Sequence, residues 1–275
     1  MIPKYVTDFF EAHLSLLDLC GNRVLEVGCG YAQLMGLVLD NEPGIHELVG
    51  INYPDILVTS PAADTRVLVM DASKMDFDDS SFGVCYSLAT FEHIHDFAGT
   101  LSEIHRVLKP GGLMIAKWSP IWNGFDGHHY GPTLSDPSHS EIGLPWAHLI
   151  FDRESLPAYL EHGEGFSPAE AASATRAIYD SDWLSRRTVN EYEKDIRASG
   201  FEIDRLEATA CELGGLMNKI AAKITAGSID PERVIRFFQN HDEHSLLSYK
   251  MLAYLRKPSS QGFGIARGVG SCSDK

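Results

Sequence analysis

The sequence has no apolar run of about 18 residues, which is the length that a helix needs to cross a bilayer. Residues 1–20 carry acidic residues and a histidine among their apolar residues, so this segment predicts an amphipathic helix and not a signal peptide. We therefore expect a cytoplasmic protein that does not act in a membrane.

Basic residues are scarce. The chain of 275 residues has 23 lysines and arginines against 38 aspartates and glutamates, a formal net charge of −15. Such a charge disfavours nucleic acid or an anionic membrane as the main partner. The densest basic spot is Arg186 and Arg187, which we expect at the exposed start of a helix. The expected partner is a small molecule, and the chain is expected to be a monomer or a homodimer.

Cysteines are few and dispersed, at positions 20, 29, 85, 211 and 272, and none belongs to a CxxC pair. This spacing predicts neither a zinc site nor a disulfide framework, and is typical of a protein in a reducing compartment.

Short apolar runs alternate with segments of helical spacing over the first part of the chain. The expected strands are residues 23–27, 46–52, 66–71, 81–89 and 112–119, with a helix over 97–112 that ends in Lys-Pro-Gly-Gly. This alternation predicts a parallel sheet with helices on both faces. It stops near residue 120, where glycine, proline, histidine and aromatic residues follow with only short helical pieces, at 152–162 and 167–181. It resumes with a helix over 188–200, a strand over 201–209, helical spacing over 212–240 and a last strand within 245–258.

A glycine pair stands at the first strand-to-helix turn, in the stretch EVGCG, residues 26–30. Gly28 and Gly30 allow backbone conformations and a close approach to a ligand that other residues resist. Open α/β sheets bind ligands at the carboxyl ends of their strands, where this turn lies. The pattern is neither GxGxxG nor GK[ST], so it does not predict a dinucleotide or phosphate site. Glu26 would repel a pyrophosphate but suits a cation such as an ammonium or a sulfonium.

Four segments together resemble the motifs of the class I S-adenosylmethionine (SAM)-dependent methyltransferases, in particular the small-molecule, type 11-like group. They are VLEVGCG (24–30), VMDASKMDF (69–77), SFGVCYSLATFEHI (81–94) and LSEIHRVLKPGG (101–112). The resemblance covers roughly residues 20–118. It implies a Rossmann-like, seven-stranded, mostly parallel sheet, an enzyme that uses SAM as cofactor, and S-adenosylhomocysteine as product.

The resemblance also implies roles for individual residues. Gly28, Cys29 and Gly30 line the methionine part of SAM with Glu26 beneath it, Asp71 and Ala72 face the adenine, Ser87 and Leu88 offer backbone groups to the cofactor amine, and His93 lies near the mouth of the pocket.

One position departs from the family pattern. Relatives usually have an acid at the end of the second strand, which binds both ribose hydroxyls, whereas this chain has Asn52 followed by Tyr53. An amide donates and accepts hydrogen bonds but lacks the charge-assisted strength of a carboxylate. We expect a lower cofactor affinity, compensation by stacking of Tyr53, or an altered cofactor.

A histidine-rich segment follows the fifth strand, with His128, His129 and Tyr130 in DGHHYG and His148 further along. Its position in a methyltransferase fold implies a role at the substrate. A histidine there can act as a base, because its pKa lies near neutrality. Alternatively, the histidines could bind a divalent ion with Asp126, Asp136 or Glu141, although we predict no metal, or they could only pack the loop. His93 is a further candidate base.

The resulting expectation divides the chain into four parts. Residues 1–118 form an N-terminal helix and the SAM-binding core, 119–187 an inserted helical and loop cap for the substrate, 188–258 the remainder of the core, and 259–275 a disordered tail. The expected reaction is methyl transfer to an O or N atom of a small, partly apolar metabolite. The alternatives are non-methyl SAM chemistry, such as cyclisation or aminocarboxypropyl transfer, and a non-catalytic SAM-binding protein.

Overall fold

The computed structural model describes residues 2–42, 44–53, 65–132 and 139–259. Seven strands form one sheet in the order β3-β2-β1-β4-β5-β7-β6. They are β1 (Arg23–Val27), β2 (Glu47–Asn52), β3 (Thr65–Val69), β4 (Phe82–Leu88), β5 (Leu108–Trp118), β6 (Glu202–Ala210) and β7 (Ser248–Arg256). The five N-terminal strands pair in parallel. Strand β7 runs antiparallel to β5, because Gly111 bonds to Lys257 at one end and Ile121 bonds to Tyr249 just beyond the other.

Ten α-helices lie in the described residues. They are α1 (Lys4–Phe9), α2 (Gln33–Asn41), α3 (Phe97–Val107), α4 (Ala147–Ile150), α5 (Leu156–Tyr159), α6 (Pro168–Tyr179), α7 (Val189–Ala198), α8 (Leu213–Thr225), α9 (Pro231–Gln239) and α10 (Glu243–Leu247). None of the described helices is long and apolar enough to span a membrane.

The fold prediction is confirmed, and burial explains why the pattern was informative. Strands β1 and β2 are buried along almost their whole length, as central strands covered on both faces must be, so they appear as unbroken apolar runs. Strand β6 is the last strand at one edge of the sheet and is largely exposed.

Two helix predictions differ in their ends. Helix α3 ends at Val107, five residues before the expected end, because Leu108 already has an extended backbone and begins β5. The N-terminal helix changes into a π-helical turn, Phe10–Leu14, after α1.

The chain divides into two compact units. Unit 1 comprises Met1–Trp118, Glu193–Glu207 and Leu252–Lys275, and unit 2 comprises Ser119–Tyr192 and Ala208–Met251. The sequence predicts that 188–258 completes the core, whereas Ala208–Met251, with α8, α9 and α10, groups with unit 2. Helical spacing alone does not show which core a helix joins. The predicted disordered tail lies, apart from Ser259, outside the described residues.

Each unit has its own apolar core. In unit 1, Phe9 and Leu14 of the N-terminal segment pack with Met35, Tyr86 and Ile115 on one face of the sheet. In unit 2, the fully buried Trp146 lies among residues from α5, α6, α8 and α9. Its indole N–H donates to the carbonyls of Asn123 and Leu246, each over 3.2 Å.

Candidate active site

The two glycines of the first turn have different surroundings. Both have positive φ, +76° at Gly28 and +50° at Gly30. A Cβ at Gly28 would overlap the side chain of Thr90, whereas a Cβ at Gly30 would meet no heavy atom within 4 Å. Gly28 is therefore required for packing against Thr90, which follows β4, whereas the space beside the backbone of Gly30 is open.

Asn52, at the end of β2, supports this turn directly. Its Nδ2 donates to the carbonyl of Gly30 over 3.1 Å, and the residue is 8% exposed. A carboxylate cannot donate this hydrogen bond. The side chain of Tyr53, the next residue, is 64% exposed.

Glu26 is a buried carboxyl at the end of β1. It lies opposite Tyr86 in the register of β1 and β4, and the Tyr86 hydroxyl donates to Glu26 Oε2 over 2.9 Å. Burial raises the pKa of Glu26 to about 8, and the hydrogen bond from Tyr86 only partly opposes this. The neighbouring Cys29 thiol has its pKa raised to about 12, mainly by burial and also by Glu26. A cation beside Glu26 would favour its ionised form.

Other predicted residues of unit 1 also lie at the carboxyl ends of the strands. Ser87 is buried, and its hydroxyl donates to the carbonyl of Val27 over 2.8 Å, so its side chain joins β4 to β1. Leu88 ends β4. Thus Glu26, the glycine turn, Asn52 and Ser87 are brought together at the carboxyl ends of β1, β2 and β4.

Three further predicted residues lie on the loops that follow the strands. Asp71, after β3, accepts hydrogen bonds from the backbone N–H and the hydroxyl of Ser73, both over 2.8 Å. Ala72 is buried beside it. His93 ends a 3₁₀ turn, Phe91–His93, that follows β4, and it is half-buried.

The histidine segment belongs to unit 2, and its histidines are not equivalent. His128 is 7% exposed, and its Nδ1 accepts the backbone N–H of Tyr130 over 3.0 Å. His148 is 2% exposed, and its Nε2–H donates to the carbonyl of Trp122 over 2.6 Å. The two rings lie 5.3 Å apart at 80°.

Burial decides the charge of both rings. It lowers the pKa of His148 to about 4 and that of His128 well below 6.5. Both histidines are therefore neutral at physiological pH. The backbone contacts also assign the tautomers, because a nitrogen that accepts an N–H cannot carry a proton, and one that contacts a carbonyl must.

His129 has a different environment. Its backbone has a φ of +52°, which is strained for a residue with a side chain, and its Nδ1 lies 3.2 Å from the carbonyl of Gly127. Tyr130 is buried, and its ring stacks on His139 at 4.9 Å. The sequence suggests carboxylates as possible metal ligands beside the histidines. Burial raises the pKa of Asp126, and Asp136 lies outside the described residues.

The structure adds residues that the sequence did not indicate. Tyr86 and Thr90 contact Glu26 and Gly28, and Asn123 accepts the backbone N–H of Val189 on its Oδ1 over 2.9 Å. Strand pairing could have suggested Tyr86, since it stands opposite Glu26. No sequence pattern marks Asn123.

Comparisons with known proteins decide the family. A family profile described as "Methyltransferase domain" matches residues 25–116. A malonyl-[acyl-carrier protein] O-methyltransferase of Coxiella burnetii is 31% identical over 223 residues, which cover 80% of this chain and 70% of that protein. The chain belongs to the class I SAM-dependent methyltransferase family.

Another relative of this methyltransferase aligns over a shorter part of the chain. A 2-methyl-6-phytyl-1,4-hydroquinone methyltransferase of Synechocystis is 34% identical, with 59% of this chain and 50% of that protein covered. The chain thus spans about half the length of this relative. A SAM-dependent methyltransferase structure from Mesorhizobium loti has a TM-score of 0.52 at 17% identity, with 90% of this chain and 97% of that one covered, and shows the shared fold.

The residues of unit 1 fit SAM, which is the cofactor of this methyltransferase family. Glu26 is a buried carboxyl whose hydrogen bond comes from a neutral phenol, so a cationic group of the cofactor would stabilise its ionised form. The open position at Gly30 leaves the backbone of the turn accessible at the edge where this fold binds its ligand.

Proposed function

We propose that this methyltransferase acts on an O or N atom of a small, partly apolar metabolite, with His129 as the base that removes the proton of the acceptor. The observation that carries the proposal is the geometry of His129. The contact of Nδ1 with the Gly127 carbonyl favours the tautomer in which Nδ1 carries the proton and Nε2 is the proton acceptor. The lowered pKa values of His128 and His148 make both weaker bases.

The chain's own residues divide the work. SAM supplies a methyl group on a sulfonium, which needs no covalent help from the protein. The Glu26 carboxylate binds a cationic group of SAM at the carboxyl end of β1. Asn52 and Thr90 donate hydrogen bonds to the carbonyls of Gly30 and Gly28 and so fix the glycine turn. A base that removes the proton of a hydroxyl or an amine typically contributes about 10²–10⁴-fold to the rate.

The acceptor class is supported by the relatives and by unit 2. The Coxiella relative is named as an O-methyltransferase, and the Synechocystis relative acts on a hydroquinone that carries a phytyl chain. The loop of unit 2 that carries the histidines also carries aromatic residues, including Trp122, Phe125 and Tyr130, which suit an acceptor with apolar parts.

The test is mass spectrometry of the products after incubation with SAM and a metabolite extract of the host. S-adenosylhomocysteine together with a new species one methylene heavier than its precursor supports the proposal and reveals the acceptor. Methylthioadenosine would show attack at another carbon of the sulfonium and would overturn methyl transfer. SAM that binds and is not consumed would indicate a binding protein.

The role of His129 needs a matched comparison once the acceptor is known. His129→Ala should lower kcat by about 10²-fold or more and leave SAM affinity unchanged. The control is His162→Ala, because His162 is an exposed histidine of the same unit. An unchanged kcat in His129→Ala would remove this residue from the proposed chemistry.

A further inference from the structure

We propose that His148, His128 and Asn123 form a neutral clamp in unit 2 that binds a hydroxyl group of the methyl acceptor. This inference rests on the proposed function, because the hydroxyl belongs to the same methyl acceptor; it is a different group from the O or N atom that gives its proton to His129. It gives His128 and His148 a binding role and leaves proton removal to His129.

His148 supplies an acceptor. Its Nε2–H is committed to the Trp122 carbonyl, and its ring packs edge-on against Trp122, with centroids 4.6 Å apart at 70°. The ring is thus held in one orientation. Its Nδ1 is fully buried and has no hydrogen-bond partner among the described residues. A buried polar atom left unpaired costs about 1–3 kcal/mol, so we infer that the lone pair of His148 Nδ1 is paired by a ligand.

Asn123 supplies a donor. The residue is 2% exposed, and its Oδ1 accepts the backbone N–H of Val189, which fixes the orientation of the amide. Its Nδ2 is also fully buried and, within the described chain, has no hydrogen-bond partner. Two buried side chains therefore carry complementary unpaired atoms.

The two side chains are held by the same short stretch of backbone. His148 bonds to the carbonyl of Trp122, and Trp146, two residues before it, bonds to the carbonyl of Asn123. The start of α4 is thus tied to the carbonyls of the two successive residues 122 and 123.

His128 adds a second donor beside His148. Because its Nδ1 accepts the N–H of Tyr130, the proton of the neutral ring is on Nε2. The ring lies edge-on to that of His148 at 5.3 Å.

This set of atoms selects a chemical class. A hydroxyl both donates and accepts, so it can donate to Nδ1 of His148 and accept from Asn123 or His128. A carboxylate only accepts and would face the lone pair of His148, while an ammonium has no lone pair for the two donors. The low pKa values of both histidines keep them neutral, so they add no positive charge to attract an anion.

The test uses three small probes that share one ring: phenol, benzoate and toluene. Each is titrated into the protein labelled with ¹⁵N, without SAM, and the ¹⁵N signals of the His148 ring and the Asn123 side chain are followed. Phenol should shift both signals, and benzoate and toluene at equal concentration should not. No shift with phenol, or an equal shift with toluene, would overturn the proposal.

Two variants and a control sharpen the result. Asn123→Asp keeps the oxygen that accepts from Val189 but replaces the donor by an acceptor, and should weaken phenol binding at least tenfold. His148→Phe should do the same if it folds, and His162→Phe should leave the response unchanged. Unchanged phenol binding in a folded Asn123→Asp protein would overturn the clamp.

Failure of the clamp and failure of the proposed function are distinguishable, because the titration does not depend on turnover. A phenol response in a protein that transfers no methyl group would overturn the proposed function and keep the hydroxyl site. Methyl transfer without a phenol response would overturn the clamp alone.

Discussion

Asn52 donates a hydrogen bond from its Nδ2 to the carbonyl of Gly30, over 3.1 Å, and so joins the end of β2 to the turn that follows β1. The family resemblance implies an acid at this position, which would bind the ribose of SAM. An acid could not make the contact with Gly30, because both partners would be acceptors. The Asn52 amide therefore has a structural role in this chain, because it fixes the backbone of the glycine turn at Gly30.

Asn52→Asp should weaken SAM binding about tenfold, although it restores the residue type of the relatives. The substitution removes a hydrogen bond worth about 1 kcal/mol and places a carboxylate against a carbonyl. The dissociation constant of SAM, measured by calorimetry, checks this. Asn41→Asp, at an exposed asparagine that also donates to a backbone carbonyl, is the control. Tighter binding by Asn52→Asp would show that a ribose contact outweighs the support of the turn.

Glu26 should make SAM binding depend on pH. Because burial raises its pKa to about 8 in the folded protein, from 4.5, the carboxyl is protonated at neutral pH before a cation binds. Ionised Glu26 holds a cation better, so SAM affinity should rise as the pH increases through 8, and binding below that pH should release a proton. The α-amino group of SAM itself titrates near pH 8, so the wild-type protein must be compared with Glu26→Gln, in which the contribution of the carboxyl is absent.

The measurement is calorimetry in buffers of different ionisation enthalpy. Equal proton release from wild type and Glu26→Gln would contradict the assignment. The same raised pKa has a consequence for stability without SAM. The stability that the protonated carboxyl contributes is complete below pH 4.5 and is lost as the pH rises through 8.

The two glycines of the turn should respond differently to alanine. Gly28→Ala should destabilise the fold strongly, because the new Cβ overlaps the Thr90 side chain at a φ of +76°. Gly30→Ala meets no neighbour, so it should cost only about 1 kcal/mol for its left-handed backbone and act mainly on SAM binding.

Urea unfolding and SAM titration of both variants separate the two effects. Adding Thr90→Ala to Gly28→Ala should recover part of the lost stability, since the overlapping atoms belong to the threonine side chain. A double variant no more stable than Gly28→Ala would show that backbone strain dominates.

His148 should weaken the protein in acid. Its pKa is about 4 in the folded state against 6.5 for an ordinary histidine, so the unfolded chain takes up the proton first. The contribution of the neutral His148 ring to the free energy of unfolding is complete above pH 6.5 and is lost as the pH is lowered toward 4. The loss is about 3 kcal/mol at most, since one pKa unit corresponds to about 1.4 kcal/mol. Urea unfolding between pH 4 and 7 measures this. The slope should flatten in His148→Phe and persist in His162→Phe, and an equal slope in all three proteins would show that His148 is not its source.

Local sequence patterns were sufficient to predict most strands of the core. Strand β1 was predicted with its observed ends, and β2, β4 and β5 lie within the predicted runs or a few residues from them. Burial on both faces makes such strands continuous in apolar residues, and a strand-to-helix turn with two glycines follows from its backbone conformation. The grouping of Ala208–Met251 with unit 2 had no such signal, because an amphipathic helix has the same spacing whichever core it covers.

By itself, the sequence determined the order of strands and helices, the family, the SAM cofactor and the position of the glycine turn, since each depends on residue types at short spacing. Only the tertiary structure decided what the polar side chains do. Tyr86 meets Glu26 across 60 residues, Asn52 meets Gly30 across 22, and His148 meets the Trp122 carbonyl across 26. Burial and hydrogen bonds set the charge and tautomer of each group, and both arise from contacts between distant segments that form only when the chain folds.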